Sequence, residues 1–243
     1  MTKTNKKIGK TILILSLFSI AMGFMEGAVV VYLRKIYYPN GFTFPLIPID
    51  ANLALTEILR ESATLIMLIT IGILAGRTKT ERFGFFIFCF AVWDITYYIS
   101  LYLILGWPSS VFTWDILFLI PVTWVGPVIG PVLNSISMIL LALLISYFTS
   151  RNIKTNITTR EWLFLIIGSL TVIISYTEDY VSFMQRRFSF WELISPKNNY
   201  EVMQLATAYI PESFAWGIFI AGEIFILLAV LHFFLRNKKT LTM

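Results

Sequence analysis

Cysteine and histidine are nearly absent from this chain, with one of each in 243 residues. Cys89 alone makes no intrachain disulfide and no thiolate metal cage. His232 alone, beside Arg236 at the end of the last apolar run, is expected to face lipid headgroups. Its position leaves no Ser–His pair, His-rich zinc site or haem ligand set among the acidic residues considered below. Charged residues are also scarce, 14% of the chain against about 25% in soluble domains. No Gly-rich phosphate loop is present. What survives these absences is carboxylate chemistry.

Apolar residues are abundant instead, at 57% of the chain with a mean hydropathy of +0.77. Apolar runs cover residues 11–33, 53–75, 83–105, 116–148, 162–176 and 210–235. About 20 such residues cross roughly 30 Å of hydrocarbon as a helix. Runs of this length without period-two alternation are helices, because only helices and closed barrels span a bilayer. The expected fold is all-α: a polytopic integral membrane helical bundle of about six transmembrane helices, a single transmembrane domain over residues 1–243. The Lys-rich start, followed by an apolar run to Ala21 and Gly23, has the form of a signal peptide. The run continues past Glu26 to Leu33, so a retained helix is expected; cleavage would leave five spans in the same orientation.

The net charge of +5 and pI near 9.3 describe orientation rather than a nucleic-acid partner, which is not expected. Thirteen of the 19 cations precede the first span, follow the last, or fill two alternate loops around Arg77, Lys79 and Arg82 and around Arg151, Lys154 and Arg160. The other loops hold Arg34, Lys35, Arg186, Arg187 and Lys197, and Arg60 lies inside the second span. The positive-inside pattern predicts a multi-pass protein of the cell membrane with both termini cytoplasmic. Asn156 opens a glycosylation sequon, but in a loop predicted to be cytoplasmic.

Residues 116–148 are too many for one span and carry Pro121, Gly126, Pro127, Gly130 and Pro131, which break or kink helices. Two spans there would invert the charge rule. A Pro-broken re-entrant or interfacial segment near 112–131 is therefore predicted on the outer side, followed by one crossing over 128–148. Residues 180–212 form the long polar connection, rich in aromatics; they read as an extracytoplasmic interfacial segment and a lid.

Twelve of the 14 acidic residues fall on the predicted outer side, Glu81 and Glu161 being the exceptions. An ionisable residue within hydrocarbon is a functional-site hypothesis by default. Glu57, Arg60 and Glu61, at spacings of three and four, share one helix face; one guanidinium neutralises one of the two carboxylates. Glu26 lies in the outer half of the first run, and Asp94 and Glu223 lie near the middle of theirs. The candidate catalytic residues are Glu57, Glu61, Asp94 and Glu26. Candidate substrate-binding residues are Arg60, Trp93, Tyr97, Tyr98, Trp216 and Glu223. If a divalent cation such as Mg²⁺, Mn²⁺ or Ca²⁺ is bound, Glu26, Glu57, Glu61 and Asp94 are its expected ligands; the cofactor is otherwise unknown. Asn134 and Ser137 give the fourth crossing a polar face.

Ala91, Val92, Trp93 and Asp94, followed by Tyr97 and Tyr98 and by Gly106, Trp107 and Pro108, resemble in form a motif of the small integral-membrane terpene cyclases. The likeness covers this stretch alone, with Asp where that family has Glu and six spans instead of seven. It implies that Asp94 protonates an isoprenoid. The expected function is a membrane-embedded enzyme acting on a lipidic or isoprenoid substrate by Asp/Glu acid–base or carboxylate–metal chemistry, with membrane lipids and a small lipidic molecule or cation as partners. The alternatives are a cation or proton-coupled transporter and a non-catalytic subunit or binding module. Oligomeric state is not legible.

Overall fold

The computed structural model describes residues 3–151, 153, 155–193 and 199–242. Lys154 and Lys197, counted above, and part of the 180–212 segment lie outside them. Six long helices are apolar enough to cross a membrane: α1 (Lys3–Tyr37), α2 (Ala51–Ala75), α3 (Lys79–Leu105), α4 (Ile129–Ser150), α5 (Thr159–Met184) and α8 (Trp216–Thr242). Two short helices, α6 (Phe190–Leu193) and α7 (Asn199–Ala206), lie between α5 and α8. The protein is an all-α multi-pass helical bundle.

Residues 112–131, expected as a Pro-broken re-entrant or interfacial segment, contain two short strands: β1 (Trp114–Phe118) and β2 (Trp124–Pro127) pair as an antiparallel hairpin between α3 and α4. Proline removes backbone donors that a helix needs, whereas a short hairpin tolerates Pro121 in its turn and Pro127 at its end. β2 is anchored on α5, with the Trp124 ring stacked on Tyr176 at 6.1 Å between centroids.

Two helix starts account for the two acids at the basic end. Thr78 Oγ1 accepts from the Glu81 backbone N–H at 3.1 Å, and Glu81 Oε2 accepts from the Thr78 N–H at 3.1 Å. Thr158 and Glu161 repeat this capping box at the start of α5. Glu161 also accepts from Arg236 Nε at 3.1 Å and lies 3.0 Å from His232 Nδ1. His232, expected at the headgroup level, pairs with Glu161; the two meet because α5 and α8 run side by side.

Lipid tails are as apolar as leucine, so helices in a membrane associate through close packing at small residues. A Cβ on Gly222 would lie 2.7 Å from Val172 Cγ2 and 2.9 Å from the Gly168 carbonyl oxygen. These two glycines let α8 and α5 touch backbone to backbone. Gly222→Val is expected to cost about 1–3 kcal/mol through overpacking, measurable as a lowered midpoint of thermal unfolding in detergent. α1 approaches α3 in the same way: a Cβ on Gly23 would meet the Trp93 carbonyl oxygen at 2.6 Å, and one on Gly27 the Ser100 Cβ at 2.9 Å. Glu26 lies between these contacts and is thereby held against the bundle.

The largest apolar core fills the basic half, where Leu15, Leu68, Phe88, Cys89, Ile145, Phe148 and Phe233 are buried together. The opposite half is different. There α1, α2, α3 and the hairpin leave a cavity of about 420 Å³.

Candidate functional site

The cavity is lined by Glu26 from α1, Glu57, Arg60 and Glu61 from α2, and Trp93, Asp94, Tyr97 and Tyr98 from α3. Its upper wall is apolar, with Val30, Leu33, Ile47, Ile49 and Ile58 among the lining residues and Val202 and Ala206 of α7 closing over it. Three helices thus bring four carboxylates to one space. Helical spacing explains the α2 contribution, since residues three and four apart share a face.

Each acid has a distinct partner. Arg60 donates to Glu57 Oε2 from Nε at 3.0 Å and from Nη2 at 2.7 Å, a charge-assisted two-donor contact. Its Nη1 closes directly on Glu26 Oε1, and Glu26 Oε2 also accepts from Thr64 Oγ1 at 3.2 Å. Glu61 is left out of this cluster; its Oε2 accepts from the backbone N–H of Leu119, in the hairpin turn, at 2.9 Å. Asp94 Oδ2 accepts from Ser135 Oγ of α4 at 2.8 Å. Among the described residues neither Glu61 nor Asp94 makes an ion pair, although both are over nine-tenths buried.

A second ion pair stands beside the first. Arg34, near the end of α1, donates from Nη2 to Asp115 Oδ1 of β1 at 2.7 Å, and both residues line the cavity. The guanidinium is held between aromatic rings, 3.6 Å from the Trp107 centroid and 4.4 Å from that of Phe42. Burial pushes the Asp115 carboxyl up to about 6, and Arg34 is the chief group opposing that rise. Sequence reasoning missed this pair, because its members looked like ordinary loop charges 81 positions apart.

Two residues expected in the site are elsewhere. Glu223 does not reach the cavity: its carboxylate accepts from Ser137 Oγ at 2.7 Å and from Asn134 Nδ2, and Asn134 Oδ1 accepts from the Tyr176 hydroxyl. This is a closed polar network among α4, α5 and α8. Trp216 joins an aromatic cluster with Phe214, Phe219 and Phe112. Both are drawn away because α8 packs along α5 and α4, far from α2.

The four residues named as ligands for a divalent cation each have another partner. Among the described residues no group of three or more His, Cys, Asp or Glu is placed to hold a metal ion. The physical reason is visible in the partners: Arg60 occupies the space between Glu26 and Glu57, while Glu61 and Asp94 turn to Leu119 and Ser135. Five carboxylates (Glu26, Glu57, Glu61, Asp94 and Asp115) face two guanidiniums (Arg34 and Arg60) among the described lining residues. The formal excess is three negative charges. Like charges brought this close in a buried place repel one another.

No protein-family model matches the chain, and neither a curated protein nor a solved structure matches it significantly. The likeness to the small terpene cyclases therefore rests on residues 91–108 alone.

Proposed function

We propose that the protein is a membrane-embedded enzyme that draws a lipidic substrate into the acidic cavity and moves protons through Glu61 and Asp94. One observation carries this reading: two carboxylates without a cationic partner line the same apolar-walled cavity. Such carboxylates, free of an ion pair, are placed as a general acid or base requires. Arg60 holds Glu57 and Glu26 in place, acting as a positioning residue. Trp93, Tyr97 and Tyr98 supply the wall against which the reacting part of the substrate lies. Leu193, Val202 and Ala206 line the same space, which supports reading the described part of the 180–212 segment as a lid.

On the charge rule the cavity opens to the outer leaflet of the cell membrane and both termini are cytoplasmic. A cation or proton-coupled transporter would need a polar path through the basic half. The buried apolar side chains there, Leu15, Leu68, Phe88, Ile145 and Phe148 among them, favour a blind site and hence the enzyme.

The test compares lipid extracts from cells expressing the wild type and Asp94→Asn by mass spectrometry. A lipid converted only in the wild-type extract is the expected outcome. Identical extracts across wild type, variant and empty cells would remove the enzymatic reading.

A further inference from the structure

We propose that the cavity selects an amphiphile whose head is a cationic amino alcohol, a choice that rests on reading the cavity as the substrate site. Sign decides the first half. Both guanidiniums are engaged, Arg34 by Asp115 and Arg60 by Glu57 and Glu26, while among the described residues Glu61 and Asp94 make no ion pair, Arg60 acting on Glu61 only through space. An anionic head would lose its hydration on entering a wall with a formal excess of three negative charges, where both guanidiniums already hold carboxylates. An ammonium head gains a carboxylate and the ring faces of Trp93, Tyr97 and Tyr98.

Unpartnered polar atoms decide the second half. Trp93 Nε1 and Arg34 Nη1, on residues 8% and 7% exposed, have no acceptor. Both residues line the cavity, and a buried polar atom without a partner is costly. An ammonium supplies donors only; a hydroxyl beside it supplies the acceptor that both lack. The apolar upper wall around Ile47, Ile49, Ile58, Val202 and Ala206 takes the chain.

The experiment is native mass spectrometry of the detergent-solubilised full chain at neutral pH, titrated in parallel with a dodecyl amino alcohol, dodecanol and dodecanoate. One amino alcohol retained per chain is expected, with roughly tenfold stronger retention than dodecanol, as charge-assisted hydrogen bonds imply, and dodecanoate weakest. In the Glu61→Gln/Asp94→Asn double variant, amino alcohol and dodecanol should be retained equally. Wild-type retention of dodecanoate or dodecanol as strong as that of the amino alcohol overturns the proposal, as does retention of none of the three. The wild-type ranking stands independently of how the variant folds. Charge-selective retention without turnover of any lipid would remove the enzymatic reading alone; turnover of an anionic lipid would remove this one alone.

Discussion

Arg34→Met is expected to destabilise the protein by about 3–5 kcal/mol at about pH 8, because it leaves a buried carboxylate without its partner. The Arg34 and Asp115 side chains are 8% and 2% exposed, so water does not replace the lost contact. The deficit should depend on pH with a definite sign. Burial already raises Asp115 above its ordinary 3.8, and Arg34 holds it at about 6; without Arg34 it rises further. A carboxyl raised in the folded state keeps its stability contribution below its unfolded value and loses it as pH climbs through the folded value. The variant should therefore be nearly as stable as the wild type at about pH 5 and fall behind as pH rises past about 6. Denaturation in detergent across that range checks this. A deficit independent of pH would show that packing on Phe42 and Trp107, not charge, is what Arg34 contributes. Adding Asp115→Leu to Arg34→Met should recover most of the loss, since an apolar pair leaves no buried charge.

Glu61→Gln is expected to lower turnover of the cellular lipid substrate by roughly 10²–10⁴-fold, the usual size of a lost general acid or base. Glutamine keeps an oxygen for the Leu119 N–H, so the hairpin turn stays anchored and the loss falls on kcat. Glu57→Gln should behave differently. Glu57 accepts two hydrogen bonds from Arg60, and Arg60 retains Glu26 when Glu57 is neutral, so stability falls while turnover changes less. Measured kcat and unfolding midpoints for both variants separate the roles. Equal losses of turnover in the two would contradict the assignment of proton transfer to Glu61.

The contrast between Glu61 and Arg34 shows what can be read from this sequence and why. Hydropathy placed the spans because about 20 apolar residues are required by the thickness of the hydrocarbon itself. Periodicity placed Glu57, Arg60 and Glu61 on one face because those positions are neighbours on any helix. Neither principle says which helix that face meets. Glu223 and Trp216 were accordingly assigned to the cavity, yet α8 turns them toward α4, α5 and the Phe214 cluster. The Arg34–Asp115 pair was hidden for the same reason, as its partners come together only through the tertiary fold. The hairpin could have been found: Trp114, Asp115, Ile116, Leu117 and Phe118 are strand-forming in the main, and Pro121 marks a turn. The two acids at the basic end were legible too, since a Thr three residues before Glu is a capping box at Thr78 and at Thr158.

Whether the carboxylates line one space open to the outer surface is measured most directly by side-specific labelling. Val30→Cys, Ala54→Cys and Thr123→Cys, each in a Cys89→Ser background, place a thiol on the cavity wall from α1, α2 and the hairpin turn. All three should react with a membrane-impermeant maleimide added outside intact cells, while Thr240→Cys, at the other end, should react only after permeabilisation. Labelling of the three cavity thiols only from the cytoplasmic side, or of one without the others, would contradict a common outward-facing acidic cavity.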